Sequence, residues 1–373
     1  MSTPTPPLPR WADLFLLPVI NLFSAFFICG LIVLAIGENP IEAMGVMIKG
    51  AFVYSGGLGY TLFYTTNYIF TGLAVGIAFH CMMFNIGGEG QAYVGGLGAA
   101  LASFAIGAYL PAVLAIPICV LGAFIAGGLW GIIPGYLQAK RGSHIVITTI
   151  MFNFLAASLM VWLLAGPMLE AGQQSPQTAK LADSTLLPKM ADMLRPLGFD
   201  IASTPLNAAF LIALGAMAVF YVLVWHTRLG YNIRAVGQNQ EAAHYAGINV
   251  PRTIIITLAI SGGFAGLLAT NEILGFNHKV VLNFTAGYGF TGIAVALMGR
   301  NHPVGIFLAA LLFRALTQGG GELDFEFQSI TREMVLLIQG MIILFSGALA
   351  YMFNPPLARL IARIVAPKEP ANG

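Results

Sequence analysis

The residues of this chain that are able to do chemistry are few, and they gather in short stretches. At 84–91 the sequence reads FNIGGEGQ, which sets Asn85, Gly87, Gly88, Glu89, Gly90 and Gln91 between two long apolar runs. Glycines at this density permit a tight turn or a broken helix. Glu89 and Gln91 can serve backbone groups left open at such a break, and Glu89 suits the positive N-terminal end of the helix that follows. Two roles fit, a structural clasp at the break or part of an inner gate. The other interior polar residues carry no charge: Thr65, Thr66 and Asn67, then Thr148, Thr149 and Asn153, then Asn271. Thr149 and Asn153 are four apart and share a helix face. These groups either line a path for a neutral solute or bond helix to helix, an interaction worth about 0.6–2 kcal/mol per pair. Arg314 lies well inside an apolar run. It either meets an acid or polar pathway there or snorkels outward toward Glu322.

Catalytic and metal chemistry find no support. The six histidines, at 80, 144, 226, 244, 278 and 302, are scattered, with no H-x-x-x-H. Cys29, Cys81 and Cys119 lie in apolar runs without C-x-x-C spacing and read as buried thiols, neither disulfides nor metal ligands. No G-x-x-x-x-G-K-[S/T] phosphate loop occurs, so the chain is not expected to hydrolyse ATP.

The elements that must position these residues are membrane helices. Hydrophobic residues make up 58% of the chain, charged ones 9%, and the mean hydropathy is +0.82. From Gly90 to Ala139 there is no Asp, Glu, Lys or Arg, a run that holds two spans of about 20 residues. The 44 glycines suit close helix approach. A soluble domain would need more polar surface than the 17 basic and 15 acidic residues can cover. The net charge of +2 gives no reason to expect nucleic acid.

The reading is therefore an all-α polytopic membrane protein, a single domain over 1–373 with about ten transmembrane helices, at roughly 14–37, 61–83, 91–109, 112–138, 145–166, 204–226, 252–271, 285–299, 303–320 and 333–353. With the N-terminus inside, Arg10, Lys140, Arg141, Arg228, Arg234, Arg252, Arg300, Arg359, Arg363 and Lys368 fall on the cytoplasmic side, ten of the 17 basic residues. Residues 1–13 and 354–373 are then cytoplasmic tails, 167–203 a long outer loop able to form a small cap, and 227–251 a cytoplasmic loop.

Two further patterns stand out. IFTGLAVGIAF (69–79) is echoed by GFTGIAVALMG (289–299): Phe70, Thr71, Gly72, Ala74 and Val75 have identical partners 220 positions on. Either this is an internal repeat, as transporters often carry, or chance similarity among small apolar residues; the symmetry type is open. The loop HTRLGYNIRAVGQNQEAAHYAGINVPR (226–252) predicts a short helix that starts near Gln240, is capped by Asn239, carries Glu241 in its first turn and ends at Gly247, with Pro251 opening the next span. Its small-residue face suits docking into another protein's groove better than resting on a bilayer.

That loop carries a specific resemblance. EAAHYAG (241–247) is similar to the E-A-A-x-x-x-G coupling loop of permease subunits of bacterial ATP-binding-cassette importers. The surrounding Ile233, Arg234, Ala235, Val236, Gly237, Asn239, Ala242, Ala243, Ala246, Gly247 and Ile248 resemble the simple-sugar and ribonucleoside branch, related to branched-chain amino acid permeases. FNIGGEGQ, VITTIMFNF (146–154), SGGFAGLLA (261–269) and 289–313 resemble the same branch, so the likeness covers about 70–313. One departure is His144, where the branch often has an acid. The resemblance implies a multi-pass permease of the bacterial inner membrane that dimerises, often with a different permease. It implies two ATPase subunits, which bind ATP and Mg so that this chain holds no cofactor, and a substrate-binding protein outside. The implied solute is neutral. QQSPQTAKLADSTLLPK (173–189) and the long outer loop resemble ribonucleoside importers, which favours nucleosides over simple sugars and branched-chain amino acids. The rival class, an ion-gradient-driven carrier, needs ionisable groups at mid-membrane depth, and Arg314 alone is thin support for it.

Overall fold

The computed structural model describes residues 9, 11–12, 16–198, 202–327, 329–331, 333–338, 340–342, 344 and 356–359. The described residues are helices and their connections, without a named strand. In order they are α1 (Leu17–Ile36), α2 (Pro40–Phe52), α3 (Gly57–His80), α4 (Gly88–Ile106), α5 (Ala112–Arg141), α6 (Ile145–Ala165), α7 (Met190–Leu194), α8 (Ala209–His226), α9 (Arg228–Gln238), α10 (Gln240–Tyr245), α11 (Val250–Gly266), a π-helical segment Thr270–Asn277, α12 (Tyr288–Met298) and α13 (Pro303–Glu326). Seven helices are long and apolar enough to cross a membrane: α1, α3, α5, α6, α8, α11 with its π segment, and α13.

Among the described residues, not all of the ten expected spans reach that length and hydropathy. The helix expected at 91–109 forms as α4, but its Gly-Glu-Gly-Gln start lowers its hydropathy below that of a plain span. The one expected at 285–299 forms as α12, only 11 residues long, where a crossing needs about 20. Of the last, Glu333–Ile342 is helical, and apart from Leu344 the remainder lies outside the described residues. Both expected tails lie almost wholly outside them as well, with Arg10, Arg332, Arg363 and Lys368. Three helices were not expected: α2, α9 and the five-residue α7 within the 167–203 loop. α2 follows Asn39, whose side chain accepts from Ile41 N at 3.0 Å. α9 is amphipathic, with Gly230, Ile233 and Val236 inward, inside what reads in sequence as loop.

The chain divides into two compact units, Met1–Gly50 with Leu316–Gly373, and Ala51–Ala315. In the first, α2 and the end of α13 approach to backbone contact: a Cβ on Gly319 would collide with Met47 O, and one on Gly50 with the Glu322 side chain. The second unit holds every element of the site described below. Its α5 and α11 pack backbone on backbone, because Gly127 faces Gly262 and Gly266 with no room for a Cβ on any of them, and Gly95 of α4 meets Gly266 in the same way. In a membrane, helix association rests on such van der Waals contact rather than on the hydrophobic effect.

α3 is buried along most of its length. α12, which carries the echoed 289–299 stretch, lies against it in the same direction: Tyr68 meets Tyr288, Thr71 meets Gly292, and Gly72 meets Val295. Of the echoed glycines, Gly292 packs on Thr71 of α3, and Gly72 packs on Ile306 of α13 as well as on Val295.

The 167–203 loop, of which 199–201 lie outside the described residues, folds onto the ends of α4 and the π segment. Thr178 N, Leu181 N and Leu187 N donate to Val280 O, His278 O and Leu274 O at 3.0, 2.8 and 2.9 Å, and the Ser103 and Thr185 hydroxyls meet at 2.6 Å. Lys180 and Asp183 pair at 2.8 Å on its exposed surface, which holds the Asp183 carboxyl below the usual carboxylate range.

Candidate functional site

After His80 the chain does not turn at the end of the span. Met82 takes φ 55°, and 81–87 folds back along the last turns of α3. Asn85 Nδ2 donates to Ser261 Oγ at 2.8 Å, and Ser261 Oγ donates to Ala74 O at 2.6 Å, so Asn85 stands level with Ala74. α4 accordingly begins beside the middle of α3. The motif lies between the two helices in sequence, as its place between two apolar runs implies, but in space it is folded back from the end of α3. Irregular backbone at such depth is tolerated only where protein groups satisfy it. Here Ile86 N donates to Thr149 Oγ1 (3.3 Å), Gly87 N to Asn85 Oδ1 (2.9 Å) and Gly90 N to Asn153 Oδ1 (2.9 Å), while Asn153 Nδ2 donates to Ile86 O (2.9 Å). Asn85 Nδ2 also donates to Gln91 Oε1 at 2.9 Å.

α12 also begins inside the protein, and its first turn faces that of α4. The Glu89 carboxylate accepts from Gly287 N at 2.9 Å through Oε1 and from Gly289 N at 2.8 Å through Oε2. A Cβ on Gly289 would collide with Glu89 N, so the two helix starts are in backbone contact. Each helix start presents unpaired N–H groups and partial positive charge. Glu89 sits in the first turn of α4, as expected, but its carboxyl caps the start of α12.

A second buried cluster lies on α3, the π segment and α13. Asn67 Nδ2 donates to Glu272 Oε1 at 2.5 Å, Asn271 Nδ2 to Asn67 Oδ1 at 2.8 Å and to Phe63 O at 2.9 Å, and Asn207 Nδ2 to Asn271 Oδ1 at 3.0 Å. The π segment turns the consecutive Thr270, Asn271 and Glu272 all inward; such segments occur often at functional sites. Arg314 is 9% exposed and does not snorkel. Its guanidinium lies 4.0 Å from the Tyr64 ring centroid, 4.9 Å from Tyr68 and 5.7 Å from Tyr288, within cation–π range.

The proposed path residues therefore separate. Asn67 and Asn271 join this second cluster, and Thr149 and Asn153 belong to the Glu89 motif. Thr65 and Thr66 spend their hydroxyl protons on Thr61 O and Leu62 O of their own helix, and Thr148 does the same on His144 O. The expectation of an uncharged path is corrected as well, since Glu272 sits among these amides. Sequence reasoning missed Glu272 because the span boundary was set at 271; the signal was an Asn-Glu pair interrupting an apolar run before Gly275. Tyr64, Tyr288 and Asn207 were also missed. His144 precedes α6 in extended conformation without a side-chain cap bond, the position where an acid would cap the helix.

The 227–251 segment is a pair of helices. Thr227 Oγ1 accepts from Gly230 N at 3.0 Å to start α9, and Asn239 Oδ1 accepts from Ala242 N at 2.9 Å to start α10, as expected. Gly247 closes α10 with φ 81°, and Asn249 caps α11, with Pro251 in its first turn. Ala243 is buried, whereas Glu241, Ala242, His244 and Tyr245 are exposed, Tyr245 at 90%. Gly237 packs on His80 O with no room for a Cβ, so α9 rests on the end of α3. Arg234 is half-buried on the same helix.

Seven apolar spanning helices, broken helices meeting in a polar interior, and an exposed helical knob at one end describe a multi-pass membrane transport protein. The family model for the branched-chain amino acid transport system permease component matches residues 57–347, and the chain belongs to that family. It is 35% identical over 88% of its length to the glucose ABC transporter permease protein TsgB13 of Haloferax volcanii, covering 86% of that protein. It is also 35% identical to the guanosine ABC transporter permease protein NupP of Bacillus subtilis, over 88% of this chain and 92% of the relative. The nucleoside ABC transporter permease protein NupB of Lactococcus lactis is 31% identical over 88% and 90%. No solved structure matches the chain significantly. The chain is an importer permease of the sugar and nucleoside branch, a transport component rather than an enzyme.

Proposed function

We propose that this permease moves nucleosides across the bacterial inner membrane by alternating access, driven by two separate ATPase subunits that bind ATP and Mg. The observation that carries the nucleoside reading is the similarity to the guanosine permease over nearly the full length of both chains. The nucleoside permease of Lactococcus lactis supports it. Bacillus subtilis has a second guanosine permease, NupQ, to which this chain is 27% identical over 68% of its length. That favours a heterodimer in which this chain is the partner resembling NupP. A substrate-binding protein delivers the solute from outside, and lipid surrounds the spans. The N-terminus and the α9–α10 pair face the cytoplasm, where Glu241, Ala242 and Gly247 meet an ATPase groove. Because Gly237 sits on His80 O, a push on α10 passes through α9 to α3.

The glucose permease relative gives a second reading, a hexose importer. Reconstitution with the ATPases, the second permease and the binding protein separates the two: labelled nucleoside uptake that needs ATP is expected. ATP-driven glucose uptake without nucleoside uptake would favour the hexose reading. Uptake driven by a proton gradient alone would overturn both.

A further inference from the structure

Three tyrosine rings converge in this interior, and the group they surround is planar. Tyr64 and Tyr68 are four apart on α3 and so share a face. Tyr288 is the first residue of α12, held in place by the Glu89 carboxylate on its two neighbours, Gly287 and Gly289. Its ring lies 6.4 Å from that of Tyr64 and 5.6 Å from that of Tyr68. The Arg314 guanidinium lies over all three.

Beside this cage stands a carboxyl group, that of Glu272, which does not pair with the guanidinium inside it. Glu272 and Arg314 lie within each other's field, yet no salt bridge joins them, and Arg314 Nε has no hydrogen-bond partner among the described residues. Both groups are buried, and each keeps hydrogen-bonding capacity that the other does not use. Glu272 has acceptor capacity to spare: a carboxylate offers about four lone-pair sites, and its partners are Asn67 at 2.5 Å and Asn277 at 3.5 Å. Asn271 and Asn207 fix Asn67 in turn.

Aromatic faces, an acceptor and a planar donor fork together complement a flat heteroaromatic ring that presents an N–H beside a carbonyl. The lactam edges of guanine, hypoxanthine and uracil have that pattern. Adenine lacks it, and glucose has no π face to stack. Resting on the nucleoside reading above, we propose that Tyr64, Tyr68, Tyr288, Glu272 and Arg314 form a base-reading station within the permease. The tyrosines stack a lactam nucleobase, Glu272 accepts from its ring N–H, and Arg314 donates to the adjacent carbonyl. The guanidinium, planar and delocalised, holds the tyrosine faces until a base displaces it.

The test is photolabelling of the intact purified importer with 8-azidoguanosine. Adducts are expected on peptides carrying Tyr64, Tyr68 or Tyr288, and guanosine and uridine should compete at concentrations at least about tenfold lower than adenosine or glucose. In Glu272→Gln, confirmed to co-purify with its ATPases, that preference over adenosine should fall by about tenfold. Adducts confined to other parts of this chain, or competition indifferent to the lactam edge, would overturn the station. So would an unchanged preference in Glu272→Gln. Nucleoside uptake in the reconstitution above combined with any of these results leaves the nucleoside reading standing, whereas glucose-only uptake removes both.

Discussion

Glu89 sits in the first turn of α4 and ties it to the start of α12. Its two oxygens serve Gly287 N and Gly289 N, so it cannot be replaced by a group with a single acceptor without loss. Glu89→Gln keeps one acceptor oxygen and turns an amide toward the other N–H. Losing a hydrogen bond to a charged group typically costs about 1.5–3 kcal/mol. We expect the variant to insert normally and to show a lowered thermal midpoint in detergent, with transport reduced in step with the surviving folded protein. Lost transport at an unchanged midpoint would assign Glu89 to the gate instead. Glu89, Asn85 and Gln91 were legible as a break motif because a carboxylate among glycines in an apolar chain has few other uses. Which helix it caps was not, because that depends on a contact with residues some 200 positions away.

At the scale of elements, the decisive contacts are those where a side chain would not fit. Gly127 of α5 lies against Gly262 O of α11, and Gly262 against Gly127 O. Gly127→Leu must push the two backbones apart, and overpacking of this kind costs about 1–3 kcal/mol, occasionally more. The expected outcome is poor accumulation of the assembled permease in membranes, read by the yield of monodisperse protein, whereas Gly215→Ala, where a Cβ meets nothing within 4 Å, should leave the yield unchanged. Apolar runs made α1, α5, α6, α8 and α11 readable in the sequence, since hydrophobic length is what a bilayer selects. α4 and α12 were readable as helices, but not as helices that start inside the protein, because that depends on contacts between their distant first turns. α9 misled because its Arg228, Asn232 and Arg234 mask a buried stripe of Gly230, Ile233 and Val236.

For the whole molecule, the proposed coupling runs from the α9–α10 pair through α3 to the interior. Glu241→Lys reverses the charge in the first turn of α10, and Gly247→Pro replaces a residue at φ 81° with one confined near −65°. Both positions are exposed, so the spans should still insert. We expect ATP hydrolysis by the reconstituted importer to lose its stimulation by loaded binding protein, with uptake falling at least about tenfold. Full coupled uptake in both variants would remove α10 from its assigned place. The 241–247 segment was readable because its caps are local: Asn239, Gly247 and Pro251 each act within a few residues. The Glu272 and Arg314 cluster was not, because its members come from three separate elements.

The folded-back 81–87 segment has a practical corollary for mapping this protein. Cys81 sits on it and is wholly shielded, and Cys29 and Cys119 are buried in their helices. The natural chain is therefore silent toward membrane-impermeant maleimides while folded. Single cysteines placed at exposed Tyr109 and Tyr245 will report their own side of the membrane without removal of any native thiol.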